Sequence, residues 1–203
     1  MDHPDARDKV ATILRTFGVS RRHRPDSAAW SRILDTLRSP DTGLSVVRAV
    51  MEGQGDAVQL LSDLKRSGAD GLSLFPLLKG EKLGPVCVRI LAFPGGASLD
   101  RMDDVPVGVD VQVARASRHL GVADISVPPT PAGRRLVQGA WRGEVARGGA
   151  VGPDRLNGTT AAVDPALWFH AKWGCKVCEE RGKRMPIGPA CAACQLPELG
   201  GYR

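Results

Sequence analysis

The sequence predicts an all-α fold closed by a C-terminal four-cysteine metal loop. Three observations predict it. Apolar residues recur at helical spacing through most of the chain, regular alternation over a strand length is missing, and Cys175-Lys176-Val177-Cys178 is followed by Cys191-Ala192-Ala193-Cys194. With 203 residues, 42% of them hydrophobic, the chain can bury a real core. Only 4% are aromatic, so aliphatic side chains and alanine must do the packing.

Taken in order, Val10, Ile13, Leu14 and Phe17 mark a first amphipathic helix that stops at Gly18. A basic loop follows, Arg21-Arg22-His23-Arg24. Asp26 or Ser27 then caps a second helix with the apolar face Trp30, Ile33, Leu34 and Leu37, closed by Ser39-Pro40. Leu44, Val47 and Met51 suggest a third helix, and Ala57, Leu60, Leu61 and Leu64 a fourth that ends at Gly68. From Leu72 a short apolar helix runs into Lys79-Gly80-Glu81-Lys82-Leu83-Gly84, and Pro85 opens the next helix. A loop rich in Gly, Asp and Pro covers 94–106, and helices follow at 110–120, 131–147 and 165–173. Thr130-Pro131 and Asp164-Pro165 supply the cap-then-proline start signals. The expected division is a helical region over 1–70, a hairpin and catalytic-helix region over 71–174, and the cysteine loop and tail over 175–203. The most linker-like stretch is 148–163.

The charge balance is +6, with a pI near 9.4. It favours a polyanionic partner, most simply nucleic acid. The first residues carry acidic side chains and no apolar run, unlike a secretory leader, and nothing approaches a membrane span. A cytoplasmic protein is the expectation, associated with the nucleoid if bacterial, and a monomer without membrane contact.

Three motifs carry chemistry. The two Cys-x2-Cys knuckles, twelve residues apart, each offer two thiolates to one centre, and Gly182, Pro186, Gly188 and Pro189 let the chain loop back between them. Four thiolates suit tetrahedral zinc or an iron–sulfur cubane equally. Cys87 lies alone in an apolar stretch and reads as a buried thiol. The second motif is the glycine hairpin. Lys79, Gly80, Lys82 and Gly84 precede a helix start, where outward N–H groups and partial positive charge can hold a phosphate; an ordinary helix–helix turn has the same pattern. The third is Val105-Pro106-Val107-Gly108-Val109-Asp110-Val111-Gln112-Val113-Ala114-Arg115. A carboxylate placed there is partly shielded from water and held ionised by the helix start. It can orient water at a glycosidic carbon or stabilise a sugar cation, and it can equally be an N-cap alone.

Together, the hairpin, the Val109-Asp110 segment with Val113 and Arg115, and the Leu167-Trp168-Phe169-His170-Ala171-Lys172-Trp173-Gly174-Cys175 stretch resemble the helix–hairpin–helix DNA glycosylases of the endonuclease III type. The match covers roughly 72–122 and 164–195. The resemblance implies a helix–hairpin–helix glycosylase-like domain acting on double-stranded DNA, with Asp110 essential for excision and a 4Fe–4S cluster on Cys175, Cys178, Cys191 and Cys194. Structural zinc is the alternative metal. Family spacing is Cys-x6-Cys-x2-Cys-x5-Cys. Cys175, Cys191 and Cys194 could match its first three ligands, and Cys178 replaces a fourth that should come later.

A gapless alignment puts Gly84 where bifunctional members keep a nucleophilic lysine. Sliding the hairpin by two residues would give that role to Lys82. The gapless reading implies a monofunctional, water-using glycosylase. Rival readings are a non-catalytic hairpin DNA-binding protein, a glycosidase acting on a free modified nucleoside or nucleotide, and a zinc-knuckle module binding RNA or protein. Trp30 and Trp141 are expected in the core, and Phe169 and Trp173 against the metal loop. His119 and His170 are expected as surface or packing residues. Arg21, Arg22 and Arg24 with Arg181, Lys183 and Arg184 could form a phosphate-facing surface.

Overall fold

A computed structural model of the chain describes residues 4–18, 22–39, 44–148 and 159–175. These are mostly helical, as expected. They belong to two compact units, Met1–Asp100 and Arg101–Arg203.

In the first unit α1 (Pro4–Thr16) packs along α2 (His23–Arg38), followed by α3 (Leu44–Met51), β1 (Gln54–Asp56), α4 (Ala57–Leu64), α5 (Leu83–Ala92) and β2 (Ser98–Asp100). Helix α2 starts at His23, ahead of the expected cap at Asp26 or Ser27, and Arg22 makes no side-chain cap. Of the apolar face expected on α1, Leu14 is buried, whereas Ile13 and Phe17 are exposed. Trp30, expected in the core, is also exposed, while Ile33 three residues on is buried. The core is built by Leu60, Leu64, Phe75 and Val88, each almost without solvent contact. Burial of side chains of this size is worth about 1.5–3 kcal/mol apiece.

Helix α4 begins where the Asp56 carboxylate accepts from Gln59 N at 2.8 Å, and it ends at Leu64, a turn short of the expected Gly68. Residues 72–78 are turns, where the sequence suggested a helix. The reasons are local. Gly71 has φ +72°, Asp70 Oδ1 accepts from Leu72 N at 3.0 Å, and Ser67 bridges Ser73. Pro76 then lacks a donor, and Leu77 takes φ +71°. Arg32 of α2 fixes this segment through Nε to Ser73 O at 2.7 Å and an ion pair with Asp70 at 2.9 Å.

Strands β1 and β2 were not expected. They pair in parallel with Gln54 opposite Ser98 and Asp56 opposite Asp100, and Ser98 N donates to Gly53 O at 2.6 Å. Each is three residues long, too short for alternation to register in sequence.

The second unit contains a short 3₁₀ turn (Met102–Asp104), α6 (Val111–His119), α7 (Pro131–Gly148) and α8 (Thr160–Phe169), and then a π-helical turn, His170–Cys175. Helix α6 packs against α8, the π-turn and α7. Their common core is Val107, Val109, Val113, Ala116, Ile125, Val137, Val163 and Leu167, with smaller alanines between. The alanines compensate for the scarcity of aromatics: they let helix axes approach closely.

Candidate functional site

Asp110 is the residue immediately before α6, in extended conformation, and it caps that helix. Its Oδ1 accepts from Gln112 N at 2.8 Å and Val113 N at 3.0 Å. The carboxyl group is half-buried. Leading into it, Val105, Val107 and Val109 are each at most 1% exposed, so the backbone that aims Asp110 is anchored in the core. Polar contacts lock the same segment from both flanking helices. Gln138 Nε2 of α7 donates to Val107 O at 3.2 Å, Arg142 NH2 to Asp104 O at 2.9 Å, and the Thr160 hydroxyl of α8 to Val105 O. On the far side of α6, Ser117 Oγ donates to Val113 O at 2.7 Å and accepts from Trp141 Nε1 at 2.8 Å. Trp141 is thus half-buried against the core, as expected. Arg115 donates to Gln112 Oε1 at 2.6 Å, which orders the first turn of α6 beside the carboxylate.

Sequence reasoning found Asp110 but missed Gln138, Arg142 and Thr160. Those three act over 31, 38 and 55 residues of separation, and no local spacing signals such contacts.

The hairpin lies in the first unit. Lys79, Gly80 and Lys82 are exposed, and Lys82 is the residue preceding α5. Several of its amides are already used inside the turn. Leu78 N and Lys79 N both donate to Phe75 O at 3.2 Å, and Gly84 N donates to Gly80 O at 3.0 Å. A phosphate there would be met by the lysine ammonium groups and by fewer backbone N–H groups than the sequence suggested. Leu77, a non-glycine residue in the left-handed region, holds the turn in a strained conformation.

Gly84 is buried, and a Cβ on it would lie 2.9 Å from Leu78 O and 3.4 Å from Leu61 Cδ2. A backbone carbonyl cannot swing away like a side-chain tip. The gapless alignment thus places the lysine position of the endonuclease III type where any side chain would force the backbone of the preceding turn to shift. Lys82, two residues earlier, is exposed and has space.

Cys175 closes the π-turn after α8; Cys178, Cys191 and Cys194 lie outside the described residues. Among the described residues no three His, Cys, Asp or Glu side chains gather as a metal site. Before Cys175, Phe169 and Trp173 are 58% and 63% exposed. Trp168 meets Phe169 edge-on at 5.4 Å, and the Lys172 ammonium lies 4.3 Å from the Trp168 ring and 5.1 Å from that of Trp173. His119 and His170, expected as surface or packing residues, are both buried. Burial lowers the His170 pKa below its ordinary 6.5, and the nearby His119 lowers it further. Cys87 is half-buried on α5, and desolvation raises its thiol pKa, which makes it a poor nucleophile.

Arg22 and Arg24 line a cavity of about 740 Å³ with Arg15, Ala11, Pro25 and Ser27. Arg21, Arg181, Lys183 and Arg184, the rest of the expected basic surface, lie outside the described residues, as does most of the linker-like stretch. A second cavity of about 600 Å³ is lined by Arg48, Gln54, Asp56, Gln59, Ser98 and Asp100 among others. The unexpected strand pair builds it, so sequence reasoning had no route to it.

No family model, curated protein or solved structure matches the chain.

Proposed function

We propose that the chain is a monofunctional DNA glycosylase that binds duplex DNA, flips a damaged or mispaired base and hydrolyses its N-glycosidic bond. The observation that carries this reading is Asp110. A half-buried carboxylate stands at the start of α6, on a backbone fixed by three buried valines and by contacts from α7 and α8. The amides of α6 favour its ionised form. In that form it can stabilise an oxocarbenium-like sugar or orient the attacking water. Extrusion of the base costs a few kcal/mol, least for a mispaired one.

A glycine at position 84, where a side chain would crowd the Leu78 carbonyl, supports hydrolysis without a Schiff base at that position. Lys79 and Lys82 would hold the DNA backbone. The thiolates of Cys175, Cys178, Cys191 and Cys194 fit a 4Fe–4S cluster or a zinc ion by donor chemistry, and either would tie down the chain after α8. The visible spectrum of the purified protein distinguishes them: a brown protein carries the cluster, a colourless one zinc.

The deciding experiment is base release from a panel of lesion-bearing duplexes by wild type and Asp110→Asn. Release by the wild type and its loss in the variant are expected; equal release by both would sink the mechanism. A second reading, a DNA-binding protein without excision, is favoured by one fact. Oδ1 of Asp110 already serves two amides of its own helix. It predicts salt-sensitive duplex binding with no base released by either protein.

A further inference from the structure

The cavity of about 600 Å³ in the first unit plays no part in base excision, and its volume suits a small molecule. Its walls come from α3, β1, α4 and β2. Ala49 and Leu60, 2% and 1% exposed, give it apolar surface continuous with the core. Polar groups surround that surface. The parallel register sets Gln54 opposite Ser98 and Asp56 opposite Asp100, and residues two apart in a strand share a face. Gln59 of α4 adds an amide, and Arg48 of α3 a guanidinium. The opposite charges in this lining are not spent on each other. Arg48 pairs with Glu52 at 3.1 Å, and among the described residues it makes no ion pair with Asp56 or Asp100. The two carboxylates, directly opposite across the strands, repel one another.

We propose that this cavity binds a small zwitterion, a free α-amino acid or a molecule with the same head group. The ammonium group lies by Asp56 and Asp100, where it relieves their repulsion, and the carboxylate meets Arg48, whose planar fork matches it. Gln54, Gln59 and Ser98 supply hydrogen bonds, and the carbon skeleton rests on Ala49 and Leu60. Both charges of the ligand are needed. An amine alone leaves Arg48 unmatched, and an acid or a sugar phosphate brings negative charge toward both aspartates without a cation between them. The site is independent of the excision reading.

The test uses the full chain as purified. Thermal unfolding is followed with each standard amino acid added singly, since a ligand of the native state raises the midpoint. At least one should raise it, and calorimetry with that amino acid then measures its affinity. Asp100→Asn and Arg48→Gln, both at exposed positions, should each bind it at least about tenfold more weakly. On the wild type alone, the N-acetylated and methyl-ester forms of the same amino acid each lack one charge, and each should also bind at least about tenfold more weakly. These two ligands decide the matter even where a variant fails to fold. A midpoint that no amino acid raises overturns the proposal. So does a blocked form, or a folded variant, that binds as tightly as the unmodified pair. A response to polyamines or sugar phosphates in place of amino acids would overturn it as well.

Discussion

Asn caps a helix about as well as Asp, whereas Ala does not. Asp110→Asn should therefore change stability by less than about 0.5 kcal/mol, and Asp110→Ala should cost about 1 kcal/mol, both read from denaturant midpoints. Base release should fall in both. A residue that only capped α6 would lose function in proportion to stability, leaving the Asn variant active. His170 gives a second prediction. Its folded-state pKa is lowered from 6.5, so below that value the unfolded chain binds the proton that the native chain refuses. Its stabilising contribution is thus complete above pH 6.5 and is lost as pH falls through 6.5 toward the native pKa. In metal-free protein, wild type should lose more stability than His170→Gln between roughly pH 7.5 and pH 5.5. Parallel profiles would refute this. Asp110 was visible in sequence because cap, spacing and apolar run coincide; the burial of His119 and His170 was not, since it arises from the packing of α6 on the turn after α8.

At the level of elements, the hairpin turn and α5 meet most tightly at Gly84. Gly84→Ala should destabilise the protein by about 1–3 kcal/mol, measured by thermal or denaturant unfolding, because the added methyl meets the fixed Leu78 carbonyl. An unchanged midpoint would show that the turn relaxes. Helices with a clear apolar repeat and punctuation were legible: α3, α4, α6 and α7 lie close to their expected spans. Residues 72–78 were misread because their leucines carry a helical spacing while Gly71, Pro76 and the Asp70 turn break the hydrogen-bond ladder. The pairing of β1 with β2 is made by backbone groups of Gln-Gly-Asp and Ser-Leu-Asp, whose side chains advertise no strand.

For the whole molecule, the +6 charge sets the expectation for binding. Duplex affinity should fall linearly on a log–log plot against salt. Lys79→Ala and Lys82→Ala should each lower that slope by about 1, with little dependence on DNA sequence. A slope unchanged in the double variant would remove the hairpin from the interface. Helical class was readable because periodicity runs the length of the chain, and no helix among the described residues is long and apolar enough to cross a membrane. The alanine-rich core of the second unit was only implied by the low aromatic content.

Gly84 also bears on what the chain tolerates. A side chain there, lysine included, would have to displace the Leu78 carbonyl, so a larger residue fits this position only together with a change in the turn that leads into α5.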